Sequence, residues 1–270
     1  MRQQDLGNLE GPVLLFGGPY SNLQATRAIF DIAEMRGAKD MICTGDVVAY
    51  CAHPAETVAM IRASDCHVVA GNCEKQLAAE AMTCGCGFEQ GSTCDRLSAA
   101  WYGHANAHIG AQDRSWMAGL PDIITFTHQG KRCAVIHGGV SDVSRFLWPS
   151  SSQAEFSAEI DLIRAQLGAV DVVVSGHCGL AFERMIDGVR WINAGVIGLP
   201  ANDGSCVLRY GVMAKGCVAL HDDPYDHVAA HKAMVSAGLT QGYHAALLTG
   251  YWPSEDVLPP DLRRGVVASG

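Results

Sequence analysis

Short apolar runs and amphipathic stretches alternate along the first quarter of the chain. Three runs are typical of buried strands: Pro12–Phe16, Met41–Cys43 and His67–Ala70. Between the first two, Asn22 is a predicted N-cap for a helix that continues to about Arg36, and Pro54 begins a second predicted helix. This β-α-β-α-β order favours parallel pairing of the three strands.

Strand-like segments predominate from Ile123 onward. They are Ile123–Thr127, Arg132–Ile136, Val170–Ser175, Phe182–Ile186, Arg190–Ile192, Cys206–Arg209 and Cys217–Leu220. A predicted helix over Gln153–Leu167 interrupts them. So many strands, with helices between them, predict an α/β fold in which two mixed β-sheets pack face to face and helices cover both outer faces, a four-layer α-β-β-α sandwich.

The last fifty residues have a different pattern. A helical segment is expected at about Tyr225–Thr249, followed by a proline-rich end. We therefore expect a single domain over residues 1–270, with a core at about 12–220 and a helical C-terminal appendage at 221–270.

Composition narrows the classes of partner. Apolar residues make up 49% of the 270 residues and charged residues 17%, which is typical of a folded domain with a large core. The net charge of −9 argues against nucleic acid or an anionic membrane surface as the partner. The polar start of the chain does not resemble a secretory signal, and the eleven cysteines are then expected to be reduced thiols in the cytoplasm.

Glycine-flanked polar motifs occur in a fixed order, several of them directly after a strand-like run. They are Gly17-Gly18-Pro19-Tyr20-Ser21-Asn22, Gly45-Asp46, Gly71-Asn72-Cys73-Glu74, His137-Gly138, Gly176-His177-Cys178-Gly179 and Asn193-Ala194-Gly195. One carboxylate, one amide oxygen and two imidazoles at such turns can converge on one metal ion, and this N/O set suits Mn, Fe or Zn.

The order of motifs resembles the calcineurin-like metallophosphoesterases, especially the small bacterial branch related to diadenosine tetraphosphatases. The family pattern is D-x-H, G-D, G-N-H-D/E, H-G and G-H-x-H, and the resemblance covers residues from about 12 to about 220. It implies the same four-layer fold and hydrolysis of a phosphomonoester or phosphodiester by metal-activated water.

The chain departs from the family pattern at four positions. Gly18 and Tyr20 replace the D-x-H pair, Cys73 replaces the His of G-N-H-D, and Gly179 replaces the last His of G-H-x-H. In the family, the D-x-H pair and the last His belong to the first of two metal ions. The resemblance implies that the second ion is held by Asp46, Asn72, His137 and His177, all of which are present. We therefore expect one divalent transition metal.

The catalytic expectations also come from the resemblance. Asp46 and His177 are expected to serve catalysis through the metal, and Cys73 stands where the family places its acid. A thiol with a pKa of ~8.5 is mostly protonated at neutral pH, so Cys73 could donate a proton.

Other polar residues near the motifs are candidates for the substrate. Tyr20, Asn22 and Arg145 are expected to contact its phosphate, although Arg145 could equally be a surface arginine. Glu74 is either an additional ligand or a solvated residue at the start of a helix over Glu74–Ala81.

Four cysteines form a separate cluster in the sequence. They are Cys73, Cys84, Cys86 and Cys94, around a glycine-rich loop. They are a candidate second metal site, although the spacing matches no standard zinc or iron–sulfur pattern and buried thiols are the favoured interpretation.

Three functional hypotheses follow. The first is a cytoplasmic, metal-dependent phosphoesterase that acts on a small phosphorylated molecule. The second is a family member that binds such a molecule, or a metal, without hydrolysis. The third is a redox or metal-responsive module based on the cysteines. The sequence does not predict an oligomeric state.

Overall fold

The computed structural model describes residues 1–265, so the last five residues of the expected appendage lie outside the described part. The strands are β1 Gln3–Asn8, β2 Val13–Phe16, β3 Asp40–Cys43, β4 His67–Val68, β5 Ile123–His128, β6 Lys131–Val135, β7 Val172–Ser175, β8 Phe182–Ile186, β9 Val189–Asn193, β10 Val207–Ala214 and β11 Cys217–Pro224. The helices are α1 Leu23–Met35, α2 Pro54–Arg62, α3 Asn72–Ala78, α4 Thr93–His108, α5 Ala111–Gly119, α6 Gln153–Leu167, α7 His227–Ser236 and α8 Tyr243–Thr249, and a 3-10 turn covers Pro260–Leu262.

The strands form two mixed sheets, as predicted. One sheet has the order β1-β5-β6-β7-β9-β8, and the other has the order β11-β10-β2-β3-β4. β2, β3 and β4 pair in parallel, whereas β10 runs antiparallel to β2. The parallel pairing of the opening motif is therefore confirmed, and the antiparallel β10 makes the second sheet mixed.

Side chains of β2 show how the layers form. Successive residues of a strand face opposite sides of its sheet. Val13 and Leu15 belong to the apolar cluster between the sheets, and Leu14 and Phe16 belong to the cluster under the helices. All four are fully buried, which explains why this strand appears in the sequence as an unbroken apolar run.

The six-stranded sheet is covered on its outer face by α6. Phe156, Ile160 and Ile163 of this helix are fully buried in one cluster with Trp191 of β9. With α1 packed on the other sheet through Ile29, the arrangement is the α-β-β-α sandwich expected from the sequence.

Several boundaries differ from the sequence-based expectations. β1 lies within the first eleven residues, where no element was predicted, and pairs in parallel with β5. α4 and α5 fill most of the segment between α3 and β5. β10 and β11 are longer than expected, so the strands continue to Pro224. The predicted helix at about Tyr225–Thr249 is two helices, separated at Gly238 and Gly242, which both have positive φ.

Candidate metal centre and adjoining pocket

Four loops at the ends of strands bring the predicted metal ligands together. Asp46 follows β3, and Asn72 is the first residue of α3, shortly after β4. His137 follows β6, and His177 follows β7. The five-stranded sheet therefore supplies two oxygen donors, and the six-stranded sheet supplies two imidazoles.

The donor atoms have the spacing of a coordination shell. His137 Nε2 lies 3.3 Å from Asp46 Oδ2, 3.1 Å from Asn72 Oδ1 and 3.1 Å from His177 Nδ1. Around one ion with metal–ligand bonds of about 2.0–2.2 Å, neighbouring donors lie about 3–3.5 Å apart. Among residues 1–265, Asp46, His137 and His177 are the one set of three His, Cys, Asp or Glu side chains with ligand atoms within 4.8 Å of one another.

Hydrogen bonds around the centre fix which atoms face its middle. His137 Nδ1 lies 2.6 Å from the carbonyl oxygen of Thr44. Because a carbonyl oxygen can only accept a hydrogen bond, Nδ1 carries the proton. In the neutral ring, Nε2 then has a free lone pair. The Asn72 amide donates through Nδ2 to the Cys84 carbonyl at 3.0 Å, which turns Oδ1 toward His137.

This arrangement fits a cation. In the neutral form, His137 Nε2 and the facing oxygens of Asp46 and Asn72 are all acceptors, and they need a shared positive charge between them. The His177 ring presents Nδ1 to the same space, 3.1 Å from His137 Nε2. The four converging N and O donors match a divalent transition metal, which would satisfy all the facing lone pairs at once.

Burial and charge set the ionisation of the ligands. Burial works to raise the pKa of Asp46, but the charge and hydrogen bond of His137 outweigh it and hold this pKa below its usual range. Burial, reinforced by the neighbouring His137, lowers the pKa of His177 to about 3. Burial works to lower the pKa of His137, but the charge and hydrogen bond of Asp46 outweigh it and raise this pKa, so without a metal a proton on Nε2 competes with the cation. An ionised carboxylate and neutral imidazoles are the forms that metal ions require.

Glu74 supports the centre from outside the ligand set. Its buried carboxylate accepts hydrogen bonds from the backbone N–H groups of Asp46 at 2.8 Å and Gly71 at 2.9 Å, and so ties the two loops together. Burial, and then the nearby Asp46, raises the pKa of Glu74 to about 7. The expectation of a solvated residue at the start of a helix is therefore wrong for Glu74.

The loop before Asp46 has no room for a side chain. Gly45 has φ of +100°, and a Cβ there would lie 2.7 Å from the Val69 carbonyl oxygen and 2.9 Å from His137 Nδ1. Only glycine allows this close approach of the two loops.

A family model for the calcineurin-like phosphoesterase superfamily domain matches residues 20–213. The chain belongs to this superfamily. The resemblance inferred from the motifs is therefore confirmed, and family membership supports metal-dependent phosphoester hydrolysis in general.

Solved structures support the fold of this phosphoesterase domain. A metallophosphoesterase from Sphaerobacter thermophilus aligns with a TM-score of 0.69 and 17% identity over 90% of this chain and 100% of its own. A hypothetical protein from Pyrococcus horikoshii aligns with a TM-score of 0.71 and 14% identity over 90% and 99%. A putative diadenosine tetraphosphatase aligns with a TM-score of 0.52 and 14% identity over 83% and 98%.

A local sequence match points to an archaeal protein. The uncharacterized protein MJ0912 of Methanocaldococcus jannaschii is 43% identical over 53 residues, which are 20% of this chain and 22% of that protein. The match thus spans about a fifth of either protein.

Tyr20 fills the space beside Gly18, the position of the family's missing aspartate. A Cβ on Gly18 would lie 2.6 Å from Tyr20 Cζ and 2.7 Å from Val196 Cγ1. The Tyr20 ring is buried and packs edge-on against Tyr50. Burial, reinforced by Asp46, raises the pKa of Tyr20 well above its usual value, so the phenol is neutral.

The other two predicted phosphate contacts are engaged elsewhere. Asn22 caps α1 by accepting from the Ala25 N–H at 3.0 Å, and its amide donates to the Gly198 carbonyl at 2.9 Å. The Arg145 guanidinium lies 3.3 Å from the Glu159 carboxylate.

Cys73 lies next to the centre but beneath its surface. Its backbone N–H donates to Asp46 Oδ1 at 3.2 Å, and its side chain is buried. Burial, and then the charge of Asp46, raises the pKa of the Cys73 thiol well above its usual value. The thiol is therefore protonated at neutral pH.

The four clustered cysteines do not form a second metal site in the described part of the chain. Cys84 and Cys86 are joined in a disulfide bond, so their sulfurs are not thiolate ligands. Cys94 lies on α4 near Ser254 and Val257. The expectation of reduced thiols does not hold for this pair, whereas the other nine cysteines within residues 1–265 are free.

Sequence reasoning missed a pocket that adjoins the centre. His177, Tyr20 and Gly179 line it together with Tyr243 and Trp252 of the C-terminal segment. Its signal in the sequence was the scattered aromatic residues, which no local spacing connects.

No helix in residues 1–265 is long and apolar enough to cross a membrane.

Proposed function

We propose that the chain is a phosphoester hydrolase that uses one divalent transition metal, Mn, Fe or Zn. Asp46, Asn72, His137 and His177 would hold the ion. The observation that carries the proposal is their convergence, with each of the other three donors 3.1–3.3 Å from His137 Nε2. Membership of the phosphoesterase superfamily supports the same reaction class.

The surroundings of Gly18 and Gly179 support a single ion. Tyr20 occupies the space next to Gly18, and the Trp252 ring lies 3.5 Å from where a Cβ on Gly179 would be. Two of the family's three first-site positions are thus glycines beside aromatic rings, which offer a cation no side-chain donor. The third is Tyr20, whose buried phenol stays neutral because burial raises its pKa, so it is a poor ligand for a second ion.

When bound, the ion would act as a Lewis acid on a phosphoryl oxygen and would lower the pKa of a water. The protein groups have supporting roles. The Thr44 carbonyl holds the His137 tautomer, and Glu74 fixes the loop of Asp46. The protonated Cys73 thiol is the proposed proton donor in place of the family's histidine. Because an imidazole contributes typically ~10²–10⁴-fold, we expect slow turnover.

We propose that the substrate is a small phosphomonoester or phosphodiester and that the protein acts on it in the cytoplasm. The net charge of −9 provides no long-range attraction for an anion, so the phosphate must be gripped locally at the metal centre. Nucleic acid and anionic membranes are disfavoured as partners for the same reason.

A second candidate function is binding of a phosphorylated molecule without hydrolysis. The burial of Cys73 favours it, because a thiol that is 1% exposed is poorly placed to deliver a proton to a leaving group. The metal centre would then serve recognition.

Metal analysis combined with an activity assay separates the two functions. We expect about one metal per chain in freshly purified protein and hydrolysis of bis(4-nitrophenyl) phosphate. Since losing even an outer-shell partner typically costs ~10–100-fold, His177→Ala is expected to lose at least as much metal affinity and activity. The exposed His108 provides a matched control, His108→Ala, which should retain both.

Two results would decide against the hydrolase. Full activity in His177→Ala would exclude the proposed centre. Bound metal without turnover, across several metals and esters, would favour the binding function.

A further inference from the structure

An apolar pocket of about 50 Å³ shares His177 with the metal centre. One water needs ~10–15 Å³ on this measure, so the pocket has room for a group about the size of one ring. Its walls are mainly aromatic: Tyr20, Tyr50, Phe146, Trp148, Tyr243 and Trp252.

The pocket lies where the chain departs from its family. Tyr20 and Gly179 both line it, and both stand at positions of missing first-site ligands. The C-terminal segment completes the walls with Tyr243, Trp252 and Val257. Aromatic and apolar surface therefore occupies the region next to His177.

The lining selects the chemistry of an occupant. Within residues 1–265, no Asp, Glu, Lys or Arg lines this pocket, so a charged group would lose its hydration without gaining a partner. The Phe146 and Trp148 rings are within 4° of parallel with centroids 5.0 Å apart, and Phe88 stacks on Phe146 at 6.3 Å. Flat aromatic faces of this kind favour another aromatic ring.

Because the pocket adjoins the proposed metal centre at His177, the orientation of a bound ligand can be inferred. The Phe146 ring centroid is 4.3 Å from that of His177, so a ring among the aromatic walls would be next to a proposed metal ligand. A phosphoryl group attached to that ring would extend toward His177, the one proposed ligand that lines the pocket.

We propose that this pocket binds the uncharged aromatic group of an aryl phosphoester. This inference rests on the proposed function, because the phosphoryl group would lie at the four ligands while the ring lies in the pocket. It identifies the substrate class as esters with one compact aromatic substituent.

Binding of two phosphonates tests the pocket independently of turnover. Phenylphosphonate and methylphosphonate present the same anionic group to the metal-loaded protein, and they differ in the ring. Because the ring buries apolar area, we expect phenylphosphonate to bind about tenfold more tightly or better. Quenching of tryptophan fluorescence can report binding, since Trp148 and Trp252 line the pocket.

Substitutions in the wall locate the preference. Trp252→Ala is expected to weaken phenylphosphonate binding until its affinity is close to that of methylphosphonate. Methylphosphonate binding should be unchanged, and calorimetry measures both affinities. Phe88→Ala, on another wall, provides a second variant should the first not fold. The neighbouring Tyr251 is exposed and outside the lining, so Tyr251→Ala is the matched control and should keep the preference.

Phenol, which has no phosphoryl group, separates the two proposals. Equal affinities for the two phosphonates in the unmodified protein would overturn the pocket and leave the metal centre standing. A second outcome is that phenol binds, that Trp252→Ala loses this binding, and that neither phosphonate binds. The proposed function then fails, and the aromatic pocket is supported. Failure of both phenol and phenylphosphonate to bind would overturn the pocket.

Discussion

At the scale of residues, the chain brings one set of candidate metal ligands together and packs aromatic rings beside Gly18 and Gly179. The four candidate ligands could be found from sequence because each follows a strand and carries a polar side chain in a glycine-flanked turn. The sequence showed that Gly18 and Tyr20 stand in place of the D-x-H pair, but not what these two residues do. Only the fold shows that the Tyr20 ring fills the space beside Gly18.

Restoring an aspartate at position 18 tests this packing. Gly18→Asp is expected to lower the free energy of unfolding by about 1–3 kcal/mol, because the new side chain overlaps Tyr20 and Val196. Chemical denaturation measures the change. The double variant Gly18→Asp/Tyr20→His should recover part of the loss, since the obstructing ring is removed.

A second glycine separates steric overlap from backbone strain. Gly130 also has positive φ, at +74°, but a Cβ on this residue would have no neighbouring atom within 4 Å. Gly130→Asp should therefore be less destabilising than Gly18→Asp. Equal losses would show that the overlap with Tyr20 is unimportant.

Asn22 and Arg145 stay predicted phosphate contacts, and their neighbours show what residue-level reasoning leaves out. Asn22 and Arg145 had suitable chemistry and suitable places in the sequence, yet Asn22 caps α1 and Arg145 pairs with Glu159. A polar side chain near a site is often engaged by its own neighbours, and no sequence pattern reveals the competing partner.

At the scale of elements, α6 holds the loop that follows His137. The Glu159 side chain on this helix is fully buried and accepts hydrogen bonds from the backbone N–H groups of Val140 at 2.6 Å and Ser141 at 3.1 Å. The same loop continues to Phe146, whose ring packs against His177. A helix outside the sheet thus positions one side of the metal centre.

Glu159→Gln is expected to destabilise the protein by about 1–3 kcal/mol, because an amide brings its own donors toward backbone N–H groups that need an acceptor. Urea denaturation gives the measurement. Asp161→Asn on the exposed face of the same helix is the matched control and should stay within about 0.5 kcal/mol. If both variants lose the same stability, Glu159 has no special role.

The elements that sequence reasoning missed share a physical cause. β1 is an edge strand with mostly exposed polar side chains, so its residues carry no apolar alternation, and backbone pairing with β5 defines it. α4 buries small or polar residues such as Cys94 and Ser98 beside Trp101, so its buried face has little apolar contrast. The buried strands β2 and β7, and β3 with three of its four residues buried, had a strong apolar signal and were located correctly.

At the scale of the whole molecule, the candidate metal ligands come from both sheets. Asp46 and Asn72 follow strands of one sheet, and His137 and His177 follow strands of the other. An ion that binds only when both sheets are in place stabilises the folded state over the unfolded chain.

Metal binding should therefore raise the melting temperature. At a free-metal concentration of about 100 times Kd the stabilisation is about 2.7 kcal/mol. For a chain of this size that corresponds to a rise of about 5–10 °C, measurable by thermal unfolding with metal or with chelator. His177→Ala should lose the rise and His108→Ala should keep it, and an undiminished rise in His177→Ala would place the ion elsewhere.

The division of the donors between the sheets also has a kinetic consequence. Two nitrogen donors move with one layer and two oxygen donors with the other, so a slide of one layer past the other lengthens bonds to both partners at once. The rate of metal dissociation would then be limited by the shear motion between the layers. The lifetime of the bound metal would therefore report the rate of a motion that leaves each sheet internally unchanged.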